Sequence, residues 1–137
     1  MKVDTVHTIY NSNGLSVKIL NFGGIIHEIN TPDKYNNFKN IVLNYKDINE
    51  YYNDSYFMGA AIGRYANRIK NGTFKLNDET YFLEKNDNEN HLHGGSNGFH
   101  KVNWDLKRKS KKSIHLTKLC NEKTYPGTVE VELIYTL

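Results

Sequence analysis

The stretch TVEVELIYTL, residues 128–137, alternates apolar and polar side chains with a period of two residues. In an extended strand one face would carry Val129, Val131, Leu133, Tyr135 and Leu137, because successive side chains point to opposite faces. No stretch of the chain sustains the 3.6-residue period of an amphipathic helix. The pattern therefore predicts a protein built from β-sheets.

Shorter runs of the same kind occur along the rest of the chain, at GLSVKIL (14–20), IIHEI (25–29) and IVLNY (41–45). TFKLNDETYFL (73–83) predicts a tight hairpin with Asn77-Asp78 at its turn, since both residue types tolerate left-handed backbone. A second hairpin is predicted for 101–119, one or two helical turns for DINEYYNDSYF (47–57), and a turn at Tyr125-Pro126-Gly127. Short strands separated by turn residues are typical of an antiparallel sandwich or barrel.

Length and composition restrict the class of protein. The 137 residues, 38% hydrophobic and 24% charged, correspond to at most one globular domain, 1–137. The single cysteine, Cys120, excludes an internal disulfide framework and fits a cytoplasmic setting. No signal peptide and no apolar run of ~20 residues occur, so we expect no membrane partner. The basic run KRKSKK (107–112) is interpreted as a solvated hairpin tip, so we expect no nucleic-acid partner.

Alternation continues to Leu137 without a turn residue or polar tail. We therefore expect the chain to be the front part of something larger. A strand in that position would leave an open sheet edge, which could pair with the missing C-terminal part or with a second copy.

The motif NHLHGGSNGFHK, residues 90–101, is a candidate functional segment. A His-x-His step in extended backbone points both imidazoles to one side, so His91 and His93 could bind a metal, with His100 or Cys120 as a third ligand. Imidazoles could equally hydrogen-bond a polyhydroxylated ligand, with Gly94-Gly95 leaving room for it. The residues alone leave both interpretations open.

A second polar cluster lies upstream in GAAIGRYANRIKNG, residues 59–72. Arginine offers a fixed fork of donors, and asparagine offers both a donor and an acceptor. If the hairpin between the clusters folds back, Asn67, Arg68 and His93 would line one pocket.

These segments resemble the aldose 1-epimerase (galactose mutarotase) family. GRYANRI and NHLHGGSNGFHKVNW are similar to the family's GRxANRI and NxLHGGxxGFxKxxW, in order and spacing. FGGIIHEINTPD (22–33) resembles the family's first hairpin, and TYPGTVEVELIYTL (124–137) its YPG strand. The resemblance covers nearly the whole chain.

The resemblance implies an all-β fold, the antiparallel β-sandwich called a galactose mutarotase-like supersandwich, here as an incomplete N-terminal part. It implies interconversion of the α and β anomers of free hexoses such as galactose and glucose by acid–base ring opening, with no cofactor and no metal. Asn67, Arg68 and His93 match the family's sugar-binding residues, and His93, the catalytic residue of this set, would lie beside the ring oxygen. His91 matches a variable position and receives no role.

The chain also departs from the family pattern. The residues of the lead-in to the YPG turn, 121–124, are less acidic and contain no glycine. The family's general acid, a histidine in an Asn-His motif, its sugar-contacting aspartate and its glutamate base match no residue here. We therefore expect a catalytically incomplete chain. A non-catalytic carbohydrate-binding module is the alternative, and a metal-dependent cupin is a third.

Overall fold

The computed structural model describes residues 5–121 and 125–137, so the lead-in at 122–124 lies outside the described residues. Within them it contains strands and short 3₁₀ helices. The strands are β1 Val6–Tyr10, β2 Ser16–Leu20, β3 Ile26–Pro32, β4 Phe38–Asn40, β5 Arg68–Ile69, β6 Thr73–Leu76, β7 Glu79–Phe82, β8 His91–Leu92, β9 Asp105–Lys109, β10 Ser113–Cys120 and β11 Val129–Thr136; the 3₁₀ helices are Ile48–Asn53, Lys70–Gly72 and Phe99–Lys101.

Two antiparallel sheets pack face to face to form the core. One has the order β1-β2-β3-β4 and the other β11-β10-β9, and two further strand pairs are β5-β8 and β6-β7. Side chains from both sheets interdigitate with the indole of Trp104, and the buried cluster comprises Ile9, Val17, Ile19, Trp104, Ile114 and Leu116. Two sheets that bury their inner faces against each other form a sandwich, which confirms the predicted fold class.

Both predicted hairpins are present. In the β6-β7 hairpin Asn77 and Asp78 have φ angles of 49° and 64°, the left-handed values that a two-residue turn requires. The β9-β10 hairpin carries the basic run at an exposed tip, where Ser110 Oγ accepts hydrogen bonds from the N–H groups of Lys112 and Ser113. The interpretation of this run as a solvated tip is confirmed.

One predicted strand was wrong. Residues 41–45 are irregular, and Leu43 is 85% exposed, whereas the strand beside β3 is β4. The reason is the side chain of Asn40, whose Oδ1 accepts from the N–H groups of Ile29 and Val42, both at 3.1 Å. An asparagine that replaces backbone partners in this way ends a ladder.

The predicted helical turns are the 3₁₀ helix Ile48–Asn53, which the Asp47 side chain caps by accepting from Asn49 N–H. In the described parts of the chain no helix has the length and apolar character needed to cross a bilayer. β11 is the outer strand of its sheet, and its apolar face is half-buried against the core.

Candidate functional site

The structure brings the two polar clusters together through β5 and β8. Arg68 is the register partner of Leu92, and Ile69 that of His91. Just outside this pair, the His93 N–H donates to the Asn67 carbonyl oxygen at 3.0 Å. The intervening hairpin folds back, as the predicted pocket required, and places Asn67, Arg68 and His93 beside each other in the backbone.

His93 is held in a defined tautomer. Its Nδ1 accepts a hydrogen bond of 2.9 Å from the backbone N–H of Asn67. Because a backbone N–H can only donate, Nδ1 carries the lone pair, and the proton of the neutral ring is on Nε2. His93 can therefore offer an N–H donor to a ligand oxygen.

Three non-glycine residues around this ring have left-handed backbone: Phe57 (φ 58°), Asn67 (φ 64°) and His93 (φ 53°). Phe57 packs its ring edge-on to His93, with 4.7 Å between centroids. Left-handed backbone costs an L-residue roughly 1–2 kcal/mol. Such conformations persist where surrounding contacts fix them, and they cluster at functional sites.

The left-handed φ of His93 also overturns the expectation that the two imidazoles point to one side. His91 is fully buried, and its ring interacts with Glu84 and Tyr125. In the described residues no group of three or more His, Cys, Asp or Glu side chains is arranged to hold a metal ion. With both nitrogens of His91 and one of His93 bound to protein groups, the metal interpretation of this motif does not fit the geometry.

The glycines of the motif differ from expectation as well, because they make room for protein atoms. A Cβ at Gly94 would overlap the carbonyl group of Gly63, and one at Gly95 would lie 2.8 Å from Glu84 Oε2. Glu84 in turn accepts hydrogen bonds from the backbone N–H and hydroxyl of Ser96, which lower the pKa of its carboxyl group. The two glycines thus allow the LHGG turn to pack against its neighbours.

Arg68 extends along the surface beside this turn. Its Nε donates to Asp87 Oδ2 at 2.5 Å, and its side chain is 54% exposed. An ion pair this exposed contributes little stability. Its effect is to orient the guanidinium plane, whose two Nη groups form the outer end of the donor fork.

Next to Arg68 is a cavity of about 510 Å³, within the range of small-molecule sites. Its lining combines cationic and aromatic side chains, namely Arg64, Tyr65, Arg68, Ile69, Lys70, Phe74 and Tyr125. Of the three predicted site residues Arg68 lines this cavity. Asn67 and His93 are not among its lining residues, so the structure does not bring all three side chains into this cavity.

Two residues of this region, Arg64 and Tyr125, were not predicted from the sequence. Arg64 donates from Nη2 to the Cys120 carbonyl at 2.7 Å and from Nη1 to the Gly127 carbonyl at 2.9 Å, and its guanidinium lies over the Tyr125 ring, 5.7 Å from the centroid. The Tyr-Pro-Gly turn was visible in the sequence. The contact of this turn with Arg64, about 60 positions earlier, was not visible there.

A second histidine with unusual surroundings, His100, also packs against Phe57, with 4.7 Å between ring centroids. Burial, aided by the charge of Lys101 and by His93, lowers the pKa of His100 to about 4. At neutral pH this imidazole is therefore uncharged.

Comparison with known proteins agrees with this fold. The aldose 1-epimerase family model matches residues 5–137. Galactose mutarotase from Sus scrofa is 36% identical over 128 residues, 92% of this chain and 37% of that protein. Aldose 1-epimerase from Haemophilus influenzae is 32% identical over 132 residues, 95% of this chain and 38% of that protein.

Among solved structures, an aldose epimerase homologue from C. elegans superposes with a TM-score of 0.92 at 31% identity, covering 97% of this chain and 42% of that one. The fold and the paired motifs define an epimerase-type β-sandwich. The chain belongs to the aldose 1-epimerase family. It spans 37–42% of the length of these three relatives.

Proposed function

We propose that the protein acts in the interconversion of the α and β anomers of free hexoses, galactose and glucose among them. In this proposal residues 1–137 form the N-terminal part of a single aldose 1-epimerase-like sandwich. They supply the binding residues Asn67, Arg68 and His93. The observation that carries the proposal is the His93 tautomer, which presents an Nε2–H donor directly after β8, the strand that pairs with the strand of Arg68.

The exchange of anomers by ring opening requires a hydrogen-bond donor at the ring oxygen. Anomer exchange begins when a general base removes the proton of the anomeric hydroxyl, the bond between C1 and the ring oxygen breaks, and a general acid protonates that oxygen. Rotation about C1–C2 and reclosure give the other anomer. Negative charge develops on the ring oxygen as the bond breaks, so an N–H donor aimed at it stabilises the transition state.

Arg68 and Asn67 would orient the sugar rather than transfer protons. A guanidinium cannot give up its proton near neutral pH, and its fork suits two neighbouring hydroxyl oxygens. The Asn67 side chain can accept from one hydroxyl and donate to another. The family's general acid and base are matched by no residue of this chain. The matches to epimerases favour an enzyme over a carbohydrate-binding module.

Binding is tested by NMR titration of the 137-residue chain with D-galactose. His93→Asn is the sharpest variant, because the asparagine oxygen can still accept from Asn67 N–H and tolerates left-handed backbone, while the Nε2–H donor is lost. Losing one hydrogen bond should weaken binding about three- to tenfold. Arg68→Lys should weaken it by a similar factor, and Arg108→Lys, exposed on β9, should have no effect.

Catalysis is tested by polarimetry of freshly dissolved α-D-galactose. We expect the chain alone to leave the spontaneous mutarotation rate unchanged. Enzyme-like acceleration would show that an acid and a base exist within these residues and would contradict the assignment. Equal galactose affinity in wild type, His93→Asn and Arg68→Lys would contradict the proposed binding residues.

A further inference from the structure

The aromatic ring of Tyr125 is a wall of the cavity beside Arg68. It also lines the smaller cleft formed by Gly63, Gly94 and Asn97. Phe74 stands next to it, with ring centroids 6.4 Å apart. One tyrosine ring therefore borders both the Ala-Asn-Arg segment, residues 66–68, and the Leu-His-Gly-Gly segment, residues 92–95.

A buried histidine fixes the far end of this ring. His91 Nδ1 lies 2.7 Å from the Glu84 carbonyl oxygen, and its Nε2 lies 2.6 Å from Tyr125 Oη. A carbonyl oxygen can only accept, so Nδ1 carries the proton and Nε2 must accept from the tyrosine hydroxyl. These bonds satisfy both ring nitrogens of a fully buried side chain.

Arg64 holds the same segment through its backbone carbonyl groups. Its hydrogen bonds to the carbonyl groups of Cys120, Pro126 and Gly127 join the chain before and after Tyr125, and its guanidinium carbon lies 5.7 Å from the ring centroid. The ring is thus held at its hydroxyl by His91, and the two residues that follow it are held at their carbonyl groups by Arg64. Order of this kind before a ligand arrives reduces the entropy lost on binding.

We propose that Tyr125 is the apolar platform of the sugar site and that His91 is the positioning residue that orients it. The proposal rests on the function proposed above and extends it to two residues to which the family motif gives no role. A pyranose has polar hydroxyl edges and apolar C–H faces. Arg68 meets an edge of the sugar, and the aromatic ring across the same cavity meets a C–H face.

The first part of the test concerns the ring, by NMR titration of the 137-residue chain with D-galactose. Tyr125→Ala removes the platform and should weaken binding about tenfold, because both the aromatic contact and the apolar area that it buries are lost. Tyr125→Phe keeps the ring but not the hydroxyl and should weaken binding by a smaller factor. In the wild type, galactose should shift the ring resonances of Tyr125.

The second part separates positioning from general structural support. His91→Gln places an amide oxygen where it can accept from the Tyr125 hydroxyl, and should keep galactose affinity within about twofold of wild type because the bond is preserved. His91→Leu cannot accept and should weaken binding about threefold or more. In wild type the ¹⁵N shift of His91 should show Nε2 as the unprotonated nitrogen, and Tyr125→Phe should change it.

The outcomes distinguish the two proposals. If the wild type binds galactose and His93→Asn weakens it, but Tyr125→Ala does not, the platform proposal falls and the proposed function stands. Unmoved Tyr125 resonances on saturation with galactose, or a protonated His91 Nε2, also overturn the platform proposal alone. Failure of the wild-type chain to bind galactose overturns both.

Discussion

Acid should destabilise this protein through His100 well before its carboxylates are protonated. The imidazole is 7% exposed, and its neutral form is favoured by burial. Its pKa is about 4 in the folded protein, against 6.5 for an unperturbed histidine, a value that approximates the unfolded chain. Between these two values the unfolded state binds a proton that the folded state does not, so stability falls as the pH falls.

The size of the loss follows from linkage. At a pH below both pKa values, the difference between them lowers the free energy of unfolding by about 3 kcal/mol. Between pH 7.5 and pH 5.0 the unfolded imidazole becomes almost fully protonated while the folded one stays neutral, which amounts to about 2 kcal/mol. Burial lowers the pKa values of His7 and His27 too, so the whole protein should lose more than this single contribution.

Urea unfolding at the two pH values measures the loss. The one tryptophan, Trp104, is 2% exposed in the core and reports unfolding by fluorescence. We expect His100→Gln to lose about 2 kcal/mol less than wild type between pH 7.5 and 5.0, because the titrating group is gone. Leu119→Gln, an exposed position on β10, adds the same side chain without removing a histidine, and its curve should parallel that of wild type.

For each variant, only the change in the free energy of unfolding between the two pH values is compared, because the substitution itself changes the stability at pH 7.5. If wild type and His100→Gln lost equal free energy of unfolding, His100 would not be a buried neutral imidazole in the folded protein. The geometry around Phe57 and His93 would then need revision.

Two further predictions concern the LHGG turn and the sheet edge. Gly94→Ala should lower the free energy of unfolding by about 3 kcal/mol or more, because its Cβ overlaps the Gly63 carbonyl. Gly127 has a similar φ, but no atom lies near its missing Cβ, so Gly127→Ala should lower the free energy of unfolding by about 1 kcal/mol. Equal losses for the two variants in urea unfolding would contradict the close contact between residue 94 and the Gly63 carbonyl. In light scattering the chain should associate through the outer edge of β11, and Ile134→Lys should favour monomers, unlike Leu76→Lys in the β6-β7 hairpin. A monomeric wild type would contradict the association through β11.

The sequence by itself determined the strands β2, β3 and β11, both hairpins and the class of fold. Alternation at 128–137 and the Asn77-Asp78 turn are local patterns, and a strand that buries one face must keep its period of two. The motif resemblance likewise predicted Asn67, Arg68 and His93 as site residues, and the pairing of β5 with β8 brings together the two segments that carry them. Where a local pattern failed, at 41–45, the cause was a side chain, Asn40, that replaced the expected backbone partners.

Only the tertiary structure decided how the site is assembled. The contacts of Arg64 with the YPG turn, and of His91 with Tyr125, join residues 34 to 63 positions apart, and no local pattern encodes such a distance. The same holds for the His93 tautomer, which depends on a backbone N–H from Asn67 across the strand pair. Strand propensity depends on neighbouring residues, whereas donors and acceptors in a pocket are fixed by whichever groups packing brings within about 3 Å.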